Sequence, residues 1–178
     1  MSVVVEIGCG KTAGPYIEGA SHHYIVDTDE EAVKRAGERD PRFTQIVGTA
    51  ACLELPDDSV DTILARNVFG DPTLGVGAAR AMEILSVSPT LLDELVNRQK
   101  TMILEEAARL LVFGGKIIVV EQSTPEVATE FIAGLGSETV PLPSCLTQPK
   151  LVGLAEVTPM QYASRYADAQ TWVSAKIA

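Results

Sequence analysis

Val3-Val4-Val5-Glu6-Ile7-Gly8-Cys9-Gly10-Lys11-Thr12-Ala13-Gly14 is the stretch on which the fold is read, and Tyr24-Ile25-Val26-Asp27-Thr28-Asp29 follows it. Each is a short apolar run closed by a residue that turns the chain, Gly8 in the first and Asp27 in the second. Similar runs recur at Gln45–Val47, Asp61–Ala65 and Lys116–Val120. They are apolar at successive positions instead of alternating, as strands of a parallel sheet covered on both faces must be. Helix signals lie between them. Asp29 is placed to cap a helix over Glu30–Gly37, with acids in its first turn. Ser88-Pro89 opens a long helix through Leu111 that Gly114-Gly115 is expected to end. Pro125 starts a shorter helix, Glu126–Ala133, and two more strand-like runs follow at Leu151–Val157 and Thr171–Ile177. About seven strands with interleaved helices make an α/β fold, a doubly wound, mostly parallel sheet in one domain over residues 1–178.

Composition narrows the partners. The 178 residues carry 14 basic and 24 acidic side chains, a net charge of −10. Such a surface repels polyphosphate and anionic lipid, and the basic residues do not cluster, so neither nucleic acid nor membrane is the expected partner. No apolar run reaches the roughly 18 residues of a membrane span, and the N-terminus has no basic leader region. Three scattered cysteines, Cys9, Cys52 and Cys145, form no CxxC pair and fit a reducing, cytoplasmic setting. Two histidines, His22 and His23, are too few for a multi-histidine metal site, and no metal is expected.

In an open parallel sheet the ligand crevice lies off the C-terminal ends of the strands. Gly8 and Gly10 let backbone approach a ligand there, and Asp27 comes 17 residues after Gly10. A carboxylate so placed can accept from both hydroxyls of a ribose. Gly10-Lys11-Thr12 imitates the end of a phosphate-binding loop, but Val5 stands where that motif needs glycine. Gly8-x-Gly10-x-x-Ala13 with Asp27 also satisfies a dinucleotide fingerprint suited to NAD, a reading that rests on those four residues alone.

Later segments favour another nucleotide. Glu6-x-Gly8-x-Gly10 resembles the first motif of class I S-adenosylmethionine-dependent methyltransferases of the type 11 kind. Tyr24–Asp29 resembles their second strand and ribose acid. Gly48-Thr49-Ala50-Ala51-Cys52-Leu53-Glu54-Leu55-Pro56-Asp57-Asp58-Ser59-Val60-Asp61 and Leu111-Val112-Phe113-Gly114-Gly115-Lys116 are similar to two further motifs in the same order. The resemblance runs from residue 3 to about 121 and implies a Rossmann-like methyltransferase fold. It implies that Glu6, Gly8, Cys9 and Gly10 line the methionine end of S-adenosyl-L-methionine and that Asp27 holds its ribose. Thr28, Thr49 and Ala50 would border the adenine. Arg66 and Asn67, after the fourth strand, would face the reactive methyl, with Asn67 and Asp71 toward the acceptor.

Several positions depart from the pattern. Thr12 replaces the third glycine, Phe113 a proline, and Thr49 the acid that meets the adenine amino group; a hydroxyl can still accept there, without charge. Family members generally carry helices ahead of the first strand, whereas here it begins at Val3, so a minimal form is expected. Residues 69–87, with Gly70, Gly75 and Gly77, could supply a lid. A homodimer would also cover the site. His22-His23 is expected ahead of the second strand, away from the crevice, and Trp172 and Tyr162 in the packing near the last strands. The catalytic base, if the acceptor needs one, stays open among Asp71, Glu121 and the final hairpin. The implied function is methyl transfer to a small molecule; the alternative is a methyltransferase-like partner or regulatory subunit without activity.

Overall fold

The computed structural model describes residues 2–122, 134–166 and 168–178. Its elements run β1 Ser2–Ile7, β2 Ala20–Asp27, α1 Glu30–Arg39, β3 Thr44–Val47, β4 Val60–Arg66, α2 Ala78–Val87, α3 Pro89–Leu110, β5 Leu111–Glu121, β6 Lys150–Leu151, α4 Leu154–Val157, α5 Met160–Arg165 and β7 Gln170–Ala175. The seven strands form one sheet in the order β3-β2-β1-β4-β5-β7-β6. β3, β2, β1, β4 and β5 pair in parallel, and β7 runs antiparallel to both β5 and β6. The chain order reverses beside β1, which places a crevice at the C-terminal ends of β1 and β4.

Alternation along the strands divides the core between two faces. Val5, Ile7, Ile63, Ala65, Ile117 and Val119 pack with Ile103, Leu104 and Ala107 of α3. Val4, Leu64, Ile118 and Val120 pack with Leu154, Tyr162 and Tyr166 on the other face. Ile25 joins Val33, Ala36 and Phe43 beside α1. Complete burial of a Leu or Ile side chain contributes about 1.5–3 kcal/mol, so both faces stabilise the sheet. The capping expectations hold for α1 and α3. Asp29 Oδ1 accepts from Glu31 N at 3.0 Å and Ala32 N at 3.2 Å. Ser88 precedes Pro89 and its hydroxyl accepts from Leu91 N at 3.4 Å.

Three expectations are corrected. The long helix stops at Leu110, and Leu111 is already extended and paired with Val60. Gly114 and Gly115 instead form a kink within β5, where the register jumps from Val60↔Leu111 to Thr62↔Lys116. Gly114 has φ +80°, and a Cβ on Gly115 would sit 2.9 Å from Val112 O and 3.1 Å from Asp61 O. The run Leu151–Val157 is not a strand. Pairing ends at Leu151, Glu156 Oε1 accepts from Gly153 N at 3.2 Å, and a single helical turn buries Leu154. His22 and His23 lie inside β2, opposite Val3 and Val4. The expected helix Glu126–Ala133 lies outside the described residues. No described helix is long and apolar enough to cross a membrane.

Candidate cofactor-binding site

The turn after β1 is shaped by glycine and held from both sides. Gly8 and Gly10 have φ +67° and +54°. A Cβ on Gly8 would run into Val68, so the β1 and β4 ends approach each other only because it is absent. Val26 O accepts from Gly8 N at 2.9 Å and Cys9 N at 3.2 Å. The Asp27 carboxylate is fixed by two backbone donors: Oδ2 accepts from Gly10 N at 2.8 Å and Oδ1 from Asp29 N at 3.0 Å. Each oxygen keeps a lone pair for a ligand hydroxyl.

Beneath this turn is a buried ionic cluster. Glu6 follows Val4 by two residues and therefore shares its face, toward α5 and away from α3. Its carboxylate accepts from Gly14 N at 2.9 and 3.1 Å and lies 3.3 Å from Arg66 Nη2. Arg66 Nη2 also donates to Cys9 O at 2.8 Å and Thr12 O at 2.5 Å. Burial pushes the Glu6 carboxyl up, against the opposing pull of Arg66 and the Gly14 N–H. Burial, with the charges of Asp27 and Glu6, pushes the Cys9 thiol up to about 12, which leaves no thiolate nucleophile. Tyr162 closes the cluster; a Cβ on Gly14 would collide with its ring. Glu6, Cys9 and Arg66, expected among the cofactor contacts, thus lie under the loop, and Gly10 supports Asp27 through its N–H.

Above the strand ends opens a cavity of about 590 Å³, within the range of small-molecule sites. Gly8, Asp27 and Thr28 line one part of it, with Thr49 and Ala50 beside Gly48. Asn67 and Asp71 line it on the β4 side. A Cβ on Gly48 would stand in open space. Asn67 has φ +53°, and its amide is engaged with Gln122: Nδ2 donates to Gln122 Oε1 at 3.0 Å, and Gln122 N donates to Asn67 Oδ1 at 2.8 Å. Asp71 Oδ1 accepts from both the N–H and the hydroxyl of Thr73 at 2.8 Å.

Behind Asn67 and Asp71 lie Glu121 and Lys100, buried to 1% and 6% exposure. Glu121 Oε1 accepts from Phe69 N and Gly70 N at 3.2 Å. Burial nevertheless pushes its carboxyl up to about 7. The Lys100 ammonium is pulled down by burial, opposed by Glu121 and Asp71.

Thr73–Gly77, inside the segment 69–87 expected as a lid, complete the cavity together with Gln99, a residue that the sequence reading did not single out. A signal for Gln99 exists: it stands between Val96 and Ile103 on the buried stripe of α3, where a polar residue asks for a reason. α2 packs through Ala81 on Leu92 and Val96, so the second half of the expected lid is a helix seated on α3.

The residues present suit S-adenosylmethionine. Asp27 offers a fixed charged acceptor on the cavity wall, and Gly8 and Gly48 leave room for close approach. A family model described as methyltransferase domain matches residues 5–71. No curated protein sequence matches the chain. Solved structures do. TrmN from Thermus thermophilus aligns with TM-score 0.57 at 18% identity over 99% of this chain and 44% of that one. A phosphoethanolamine N-methyltransferase from Haemonchus contortus, solved with phosphoethanolamine and S-adenosylhomocysteine, gives TM-score 0.58 at 15% identity, over 99% of this chain and 39% of that one. The N-methyltransferase NodS from Bradyrhizobium japonicum gives 0.57 at 15% identity over 99% and 86%. The chain therefore spans less than half of the length of the first two, and at these identities the likeness is one of fold. With four motifs in order, the seven-stranded sheet and the match over residues 5–71, the chain has the fold of these methyltransferases, and its first strands resemble a methyltransferase domain.

Proposed function

We propose that the protein is an S-adenosylmethionine-dependent methyltransferase acting on a small neutral or cationic acceptor. The observation that carries this reading is Asp27, pinned by Gly10 and Asp29 on the wall of a cavity of about 590 Å³ at the strand ends. When bound, the cofactor supplies a sulfonium methyl group for in-line displacement. The protein's share is orientation, which can lower a barrier by several kcal/mol. Asp27 holds the ribose, Gly8 admits the methionine end, and Thr28, Thr49 and Ala50 border the base. Glu6, Cys9, Gly10 and Arg66 set the loop from below. Asn67 and Asp71 face the acceptor, and residues 71–77 close that side.

The nature of the acceptor is read from charge. Among the described residues that line the cavity, the charged ones are Asp27 and Asp71, both acidic. With a net charge of −10, this disfavours anionic acceptors and nucleic acid. Asp71, whose Oδ1 is held by Thr73, can accept from an acceptor N–H or O–H.

The test is a calorimetric titration with S-adenosylhomocysteine on the parent chain and on Asp27→Ala, with NAD and ATP as controls. Micromolar binding that weakens at least tenfold in the variant supports the reading. A folded protein that binds none of the three would leave the fold standing and favour a partner or regulatory role instead.

A further inference from the structure

Thr49 and Gln99 meet across the cavity, one from the turn after β3 and the other from α3. Gln99 Nε2 donates to Thr49 Oγ1 at 3.2 Å. The same oxygen accepts from Ala51 N, also at 3.2 Å. A hydroxyl has two acceptor lone pairs and one hydrogen. Both lone pairs are used, so the Thr49 hydroxyl can serve a ligand only as a donor. The acceptor role that the sequence assigns to Thr49 is therefore already spent within the protein.

Gln99 supplies the acceptor. Its nitrogen faces Thr49, and among the described residues no donor reaches its Oε1. Gly75 leaves the room that the Gln99 side chain occupies. Gly75 has φ +75°, and a Cβ there would sit 2.6 Å from Gln99 Cγ and 2.8 Å from Cδ. Any other residue at Gly75 would displace the Gln99 side chain. Thr49, Gln99 and Gly75 all line the cavity that holds Asp27.

We infer that Thr49 and Gln99 are the base-reading pair of this site, Thr49 donating to a ring nitrogen and Gln99 Oε1 accepting from the exocyclic amine of adenine. The inference rests on the proposed S-adenosylmethionine site. It specifies that a 6-amino group is recognised and a 6-oxo group rejected. In hypoxanthine the amine becomes a carbonyl, which would face Gln99 Oε1 acceptor to acceptor, and ring N1 becomes a donor facing the Thr49 hydroxyl. Leaving these half-buried polar groups so mismatched is the strongest form of discrimination available to an uncharged pair.

The experiment compares S-adenosylhomocysteine with S-inosylhomocysteine by calorimetry on the full chain. The parent should bind the adenine compound at least tenfold more tightly. Gln99→Leu and Thr49→Val should each weaken the adenine compound and bring the ratio toward one. Asp27→Ala should weaken both compounds alike and keep the ratio, because the ribose is common to them. Equal binding of the two compounds by the parent, or a ratio unchanged in Gln99→Leu, would overturn the inference and leave the cofactor site intact. Failure of the folded parent to bind either compound would overturn the cofactor reading, and the inference with it.

Discussion

Arg66 and Glu6 face each other at 3.3 Å in a space closed to solvent, and the same guanidinium nitrogen that meets the carboxylate also holds Cys9 O and Thr12 O. One side chain thereby neutralises a buried acid and fixes the loop that supports Asp27. Removing one partner of such a pair strands the other charge, at a cost of about 3–5 kcal/mol. Arg66→Met should lower stability by that order in chemical denaturation. Glu6→Gln combined with Arg66→Met should cost clearly less than the two single changes added together. Additive losses would show that the pair is not coupled.

Gly14 is required by its neighbour, not by its own backbone, since a Cβ there would enter the Tyr162 ring. Gly14→Ala should destabilise the protein by about 1–3 kcal/mol, as overpacking of a filled interior does. Tyr162→Leu in the same chain should recover part of the loss. A Gly14→Ala protein melting at the parent temperature would contradict the packing described here.

His23 is fully buried, with Nδ1 accepting from Ile17 N at 3.2 Å, and burial lowers its pKa to about 4 despite the opposing charge of Asp40. The unfolded chain binds a proton at this position near 6.5. Its contribution to stability is therefore present above pH 6.5 and lost as pH falls toward 4. The difference in unfolding free energy between the parent and His23→Gln should change by about 1–3 kcal/mol across that window. A difference flat with pH would mean that His23 does not titrate as its surroundings require.

Glu121 acts with the opposite sign. The native carboxyl keeps its proton up to about 7, while an unfolded one loses it near 4.3, so ionisation destabilises the fold as pH rises between these values. Glu121→Gln should be the more stable protein at pH 8, by about 1–3 kcal/mol, and gain nothing at pH 4. Denaturation of both proteins at the two pH values decides it.

Much of the fold could be read directly because the central strands β1 and β4 are apolar on both faces and because β1 and β2 end at residues with a backbone task. Asp27 closes β2 and Gly8 closes β1, and both line the cavity. Side-chain direction was harder to foresee. Glu6 stands beside Gly8 and Gly10 in sequence, but the two-residue repeat that it shares with Val4 turns it under the loop. Gln99 stayed hidden for the reverse reason. It lies 50 residues from Thr49, and a helix stripe does not say which distant loop it will meet. The strand expected at Leu151–Val157 failed at Gly153, where a local carboxylate–backbone bond favoured a helical turn over continued pairing.

Among the described residues the buried carboxylates and the buried lysine and arginine form two opposed pairs, Glu6 with Arg66 and Glu121 with Lys100. Carboxylates and these cations thus leave the surface in equal number among the described residues, and the acidic excess is displayed outward. A molecule approaching the cavity meets an attractive field if it is cationic, and encounter should slow as salt is added. Transfer of a methyl from a sulfonium removes a positive charge from the donor. If the protein acts as proposed above, its outer field favours arrival of the charged reagent and does nothing to retain the thioether left behind, a bias toward turnover set by residues that never touch either molecule.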